Sequence, residues 1–329
     1  MQVMTNKKQN KEMTYFGYLR RSALKTIHKN RNAILGLWKL FRAIPVLTFS
    51  GSLMLINVAF ARRHGTAFWY HVLPLVVGGF LINGFLGHSL NDINDWQSGT
   101  DQVSQGILSG GSKVIKEGLL YKDALNIIAF LSLLAILLIG LYLYILRGLL
   151  VLVALAIGIF TAWAYTCPPF RLAYKPFLGE LMGLWISGVV LSTASYFVLT
   201  GGFHHLPFFA GIIQTTLLVG WIMQHHIPDI PADLSAKPRK LTTPALFFLL
   251  WGPDRAAVPS IFYYSLAAAL SMLGFLYIHE IFAWMLMPSF VGIWAGATTD
   301  TMDVYDVTKR QLITTAAIVA NSVIFAILV

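Results

Sequence analysis

Of the 329 residues, 57% are hydrophobic and only 12% charged, against about 25% charged in soluble domains, which excludes a soluble globular protein and reads as an integral membrane protein. The net charge of +10 does not point to nucleic acid, because ten of the 24 lysines and arginines lie between Lys7 and Arg42, ahead of the first apolar stretch; such an arm reads as a cytoplasmic anchor on anionic membrane lipid. The single cysteine, Cys167, excludes an intramolecular disulfide and a cysteine-based metal site, and fits a reducing cytoplasmic face.

Residues 1–42 are expected to form a basic arm whose first dozen residues are disordered. Its apolar side chains, from Tyr15 and Phe16 to Leu37 and Trp38, predict an interfacial amphipathic helix. The arm lacks the continuous apolar core and small-residue cleavage pattern of a signal peptide. Apolar stretches long enough to span a bilayer follow near 43–60, 69–91, 122–146, 148–165, 177–200, 206–226, 256–278, 281–298 and 311–329. The fold expected over 43–329 is therefore all-α, a polytopic bundle of nine transmembrane helices. Only Arg147 and Gly148 divide the third stretch from the fourth, and only His279 and Glu280 the seventh from the eighth, so counts of eight or ten stay open.

With the amino terminus in the cytoplasm, the loops after even-numbered spans carry Lys113 and Lys116, then Arg171 and Lys175, then Lys237, Arg239 and Lys240, then Lys309 and Arg310. The opposite loops are poor in charge apart from Arg62 and Arg63, which is the positive-inside pattern. Two acidic motifs, about 130 residues apart, then share the cytoplasmic face: NDINDWQSGTD, with Asn91, Asp92, Asp95 and Asp101, and PDIPAD, with Asp229 and Asp233. Spacings of three and four place each aspartate pair on one side of a helix end. Such a pair can hold Mg2+, which takes one or two carboxylates and completes its shell with water and phosphate oxygens. Two half-sites facing each other could clamp a diphosphate, with Gly99, Pro228 and Pro231 expected to unwind the helix ends.

These motifs resemble those of the UbiA superfamily of intramembrane prenyltransferases, and most resemble the 1,4-dihydroxy-2-naphthoate polyprenyltransferase branch of menaquinone biosynthesis. The resemblance is carried by ND, D and SGTD in the first motif and by PDIPADLSAKPRKL. It extends to Gly110, Gly111 and Ser112 leading to Glu117, Gly118 and Leu119, and to Tyr165, Pro168, Pro169, Arg171, Leu172, Tyr174, Gly179 and Glu180. The resemblance implies a nine-helix bundle around a central cavity open to lipid, capped by cytoplasmic loops, that transfers a prenyl group from an allylic prenyl diphosphate to an aromatic acceptor. It implies two Mg2+ ions, one on Asn91, Asp92, Asp95 and Asp101 and one on Asp229 and Asp233. Asn91, Lys113, Arg171 and the basic run of Lys237, Arg239 and Lys240 would face the diphosphate, and Tyr165 or Tyr174 an allylic cation. A bacterial cytoplasmic membrane is the expected location.

The sequence departs from the branch at His225 and His226, where Asn-Glu is usual, and at Pro238, which breaks a spacing after the second motif. The acceptor side is therefore where a different acceptor would show, or a terpene cyclase that needs none. Transport is the remaining alternative, although carboxylates at helix ends on one face are unlike midplane ion sites. His204, His205 and His279 fall on the opposite face and are not expected to bind a transition metal. Asp300, Asp303 and Asp306 read as a solvated helix start.

Overall fold

A computed structural model describes residues 32–65 and 68–329. Without water to satisfy backbone groups, apolar segments of this length close their hydrogen bonds internally, and nine long helices result among the described residues. They are α1 Asn32–Arg63, α2 Trp69–Ser98, α3 Lys122–Arg147, α4 Leu149–Thr166, α5 Gly179–Thr200, α6 His205–Ser235, α7 Pro253–Tyr277, α8 Glu280–Thr298 and α9 Val304–Leu328. The divisions at Gly148 and at His279 are real breaks: Gly148 adopts φ 82°, and the His279 imidazole accepts from the Ile281 amide to start α8.

Three boundaries differ from the sequence expectation. Residues 32–41, assigned to the arm, are helical, and Leu40 packs with Ile93, Val114, Leu120 and Leu125, so this part belongs to the bundle. The break falls at Arg42, in the left-handed region at φ 48°. The remainder of the expected amphipathic arm, residues 1–31, lies outside the described residues. Helices α2 and α6 run past their expected ends, to Ser98 and Ser235, and carry the acidic motifs in their last turns. Pro228 and Pro231 do not unwind α6; they tighten it into a 3-10 turn, Ile227–Asp229, followed by a final helical turn and a half, Ile230–Ser235. Gly99, at φ 93°, does end α2.

Helix α6 is the central post and the most buried of the nine. Its Ile213, Leu217, Leu218 and Trp221 pack with Leu53 and Ile56 of α1, Tyr264 of α7, Phe282 of α8 and Phe325 of α9. Two polar side chains link helices inside this core: Asn57 donates to Ser192 at 2.8 Å, and Gln214 to Ser52 at 2.9 Å. Helices α3 and α4 are the least buried, with their apolar faces turned outward, as lipid requires. Glycines let α7 approach its neighbours. A Cβ on Gly292 would lie 2.4 Å from Cδ1 of the fully buried Tyr264 ring, which has nowhere to retreat. Gly292→Ala should therefore destabilise the bundle by about 1–3 kcal/mol, read as a lowered midpoint of thermal unfolding in detergent; an unchanged midpoint would contradict this packing.

Candidate active site

The two acidic motifs meet at one end of the bundle through a glycine-rich loop and one lysine. Asp92 accepts from the Ser112 amide at 3.2 Å and from the Ser112 hydroxyl. Asp229, from α6, accepts from the Ser104 hydroxyl at 2.5 Å and the Gly110 amide at 2.9 Å. The segment 104–112 thus holds a carboxylate from each motif. Its glycines are compulsory: Gly110 and Gly111 sit at φ 72° and 67°, and a Cβ on Gly111 would lie 2.2 Å from Asp101 Oδ2 and 3.0 Å from Asp92 Oδ1.

Lys240 forms the second link. Its ammonium donates to Asp95 Oδ2 at 2.8 Å and lies 3.6 Å from Asp233 Oδ1, with all three side chains buried. Burial alone would discharge this lysine, but Asp233 and Asp95 outweigh it and hold its pKa well above the ordinary value. Asp95 also accepts from Tyr174 at 2.7 Å and Asn91 at 3.0 Å. Burial, then the Asp95 charge, push the Tyr174 phenol up, so it stays a donor. Burial and the charges of Asp95 and Asp92 hold the Asp101 carboxyl well above the usual carboxylate range.

These groups stand at the mouth of a cavity of about 290 Å³. Asn91, Asp95, Asp101, Asp229, Lys240, Tyr165, His225 and His226 line its polar end, while Leu75, Leu143, Val151 and Val198 line its depth. Asp92 and Asp233 lie just behind that wall. The other expected residues sit elsewhere. Tyr174 stands behind Asp95 and off the cavity wall, with the Arg171 guanidinium 5.6 Å from its ring centre. Lys113 donates to the Gly106 carbonyl at 2.5 Å, and burial lowers its pKa. Lys237 and Arg239 are exposed, so of the basic run only Lys240 reaches the carboxylates.

Arg42 is the cavity residue that the sequence reading missed, having been counted with the arm. It donates to the Leu108 carbonyl at 3.0 Å and to His225 Nε2 at 3.1 Å. The other His225 nitrogen meets Gln311 at 2.9 Å, while His226 Nε2 lies 3.3 Å from the Tyr165 hydroxyl. The available signal was the arginine three residues before Pro45, at the head of the first apolar stretch. Away from the cavity, His204 and Asp303 act as N-caps of α6 and α9, accepting from Leu206 and Tyr305 amides, and Asp306 pairs with Arg310.

Among the described residues no three histidine, cysteine or acidic side chains form a metal cluster by themselves. The donor set nevertheless suits Mg2+, which needs only one or two carboxylates from the protein. Both Asp233 oxygens and Asp101 Oδ1 are buried without a hydrogen-bond donor, a costly state that a hard cation relieves.

No family model matches the sequence, and no curated protein is significantly similar to it. Solved structures are similar in fold. A UbiA homologue from Archaeoglobus fulgidus, bound to GPP and Mg2+, superposes with a TM-score of 0.63 at 16% identity, covering 88% of this chain and 99% of that one. The same homologue bound to DMAPP and Mg2+ gives 0.62, again at 16% identity, over 89% and 99%. A UbiA homologue from Aeropyrum pernix K1, without ligand, gives 0.57 at 16% identity over 84% and 98%. The chain has the fold of these UbiA homologues.

Gly111→Ala should strain a left-handed residue and push Asp101 and Asp92 out of place, destabilising the protein by about 1–3 kcal/mol. We expect Mg2+ to raise the thermal midpoint of the wild-type protein but not of this variant; equal Mg2+ stabilisation of both would contradict the carboxylate arrangement.

Proposed function

We propose that the protein is a Mg2+-dependent intramembrane prenyltransferase, moving the prenyl group of an allylic diphosphate onto an aromatic acceptor. The observation that carries this reading is the convergence of two acidic motifs, bridged by Lys240, on the mouth of a cavity whose depth is apolar. A charged head and a hydrocarbon tail would each meet matching chemistry there. The fold neighbour from Archaeoglobus, holding GPP or DMAPP with Mg2+, supports the same choice of ligand.

Asn91, Asp92, Asp95 and Asp101 would hold one Mg2+ and Asp229 with Asp233 a second; when bound, the ions neutralise the oxygens of the departing diphosphate. Lys240, already charged and fixed, adds preorganised stabilisation at the same place. Arg42 stands across the cavity mouth and can reach an anionic group there. In the reaction, the bond from the allylic carbon to the diphosphate oxygen breaks, the acceptor ring carbon bonds to that allylic carbon, and the ring regains its aromaticity by losing a proton or, where the attacking carbon bears a carboxylate, carbon dioxide. Tyr165 lines the cavity, and its aromatic ring would suit a transient allylic cation. Of the two histidines, His225 is engaged at both ring nitrogens and would position Arg42. His226, which meets Tyr165, would receive the acceptor's proton where one is lost. The apolar walls exclude water, which would otherwise quench the cation.

A quinone precursor such as 1,4-dihydroxy-2-naphthoate is the acceptor we favour, with the site on the cytoplasmic face of a bacterial membrane, consistent with the lysines and arginines of the even-numbered loops. Purified protein incubated with Mg2+ and prenyl diphosphates, with and without aromatic acceptors, should give prenylated acceptor by mass spectrometry. A cyclic hydrocarbon formed without acceptor would make the protein a terpene cyclase instead. Chelation should stop turnover and added Mg2+ restore it. Alanine at Asp92, Asp95, Asp229 or Asp233 should lower kcat/KM by about 100-fold or more while leaving a folded bundle; near-normal turnover with all four replaced would sink the proposal.

A further inference from the structure

An apolar helix lies outside the nine spans. Thr243–Trp251, with the sequence TPALFFLLW, follows the loop that bears Lys240 and holds no charged residue. Its 9 residues, at ~1.5 Å each, cover about 13 Å, less than half of a bilayer core of about 30 Å, so it cannot cross. Both of its ends are fixed where spans begin. The Thr243 hydroxyl accepts from the Phe177 amide at 2.8 Å and donates to Glu180, at the start of α5. Beyond the carboxyl end, Pro253 starts α7, and its carbonyl accepts from Thr301, just before α9, at 2.9 Å. The helix therefore runs along the active-site end of the bundle instead of into it.

Its two sides differ in what covers them. Ala245 and Phe248 pack with Ile227 and Ile230 of α6, Ala256 and Ala257 of α7 and Val307 of α9. Leu249, Leu250 and Trp251 stay outside this cluster and are 46%, 58% and 59% exposed. Facing water, these side chains would forfeit the gain from burying apolar surface. The neighbouring span ends show that water is not what they face. Trp294, close to the end of α8, and Tyr305, at the start of α9, are also exposed, and the Arg310 guanidinium lies 4.5 Å from the Trp294 ring centre. Tryptophan and tyrosine at span ends mark the headgroup level of a membrane, and the leucines of the short helix continue that surface. We propose that Thr243–Trp251 is a non-spanning anchor seated in the leaflet on the active-site side, and that it pins the loop carrying Lys240 to the membrane. The linkage is short: Thr242 caps the helix, accepting from the Ala245 amide at 3.3 Å, and Lys240 lies two residues before it.

Cys167, the single cysteine, is buried, so Leu250→Cys offers one site for a fluorescent thiol label, with identically treated wild-type protein as the blank. In lipid nanodiscs the label should be quenched by lipid bearing a nitroxide near its headgroup, less by lipid bearing it at the chain end, and not by dissolved iodide, as a depth of about 5–10 Å requires. Leu249→Asp with Leu250→Asp should lift the segment into water. Trypsin should then cut after Arg239 or Lys240 about tenfold faster than in the wild-type protein, because the loop opens more often, whereas Leu249→Ile with Leu250→Ile should be cut at the wild-type rate. Iodide quenching of the label would place the helix in water, and shielding from both quenchers would place it against protein, such as a second copy of this chain; either result overturns the anchor. Unchanged cutting in an aspartate variant that keeps the wild-type thermal midpoint would overturn its hold on the Lys240 loop. Neither readout requires turnover, so a failed prenyl-transfer assay would leave the anchor standing.

Discussion

The structure depends on how five buried aspartates are held together. Asp92, Asp95, Asp101, Asp229 and Asp233 are each 7% exposed or less, and Lys240 is the lysine buried among them. Carboxylates gathered out of water repel one another and lose solvation, so each needs donors or cations nearby. The protein meets that need unevenly. Asp92 and Asp229 take backbone and hydroxyl donors from one loop, and Asp95 takes Lys240, Tyr174 and Asn91, but Asp233 has only the lysine at 3.6 Å. The residual negative charge makes the cluster a receptor for hard cations rather than a finished salt-bridge network.

Lys240 is what makes two distant segments one site. It follows α6, yet its shortest side-chain contact is with Asp95 of α2, 145 residues earlier. Its neighbours keep the chain in place: the Lys237 amide donates to the Ser98 carbonyl at 2.8 Å, and the Leu241 amide to the Tyr174 carbonyl at 3.2 Å. The loop after the second motif is therefore stitched to the end of the first, and its tip, Lys237 to Arg239, is exposed between the buried Ala236 and Lys240. A charge-conserving view of the run, in which all three cations serve the same anion, does not match this geometry.

The helices were legible because membrane spans announce themselves by length and apolarity, and the face shared by both motifs followed from an even number of spans between them. The acidic residues were legible because charge is rare in such a chain. What stayed hidden depends on contacts that spacing cannot encode. Asp92 and Asp95, three apart, share a side of α2 but have different partners, one turned to the 104–112 loop and the other to Lys240. Tyr174 looked like a cavity residue because it is aromatic and near the motifs, whereas its hydroxyl supports Asp95 from behind. Arg42 was lost among nine other basic residues of the arm, since counting charges treats a cavity arginine and a surface lysine alike.

The cavity has a local origin in the helices that enclose it. Wide π-helical turns occur at Leu47–Gly51 in α1, Leu81–Gly87 in α2 and Gly179–Trp185 in α5. Each contributes to the wall, through Phe49 and Ser50, through Ile82 and Asn83, and through Gly183 and Leu184. A π turn inserts a residue, bulges the helix and re-aims the side chains beyond it, which is why such turns gather at functional sites. Here they are coupled: Asn83 donates to Ser50 at 3.0 Å across two of them, and the Tyr165 ring lies against Gly183 of the third. The opposite half, α6 to α9, has no such turn among its described residues and packs solidly around Tyr264 and Phe282. A rigid half thus presents Asp229 and Asp233 at fixed positions, while the irregular half supplies the space. The apolar pattern of a π turn differs from that of an α turn by one residue, too little for periodicity to reveal.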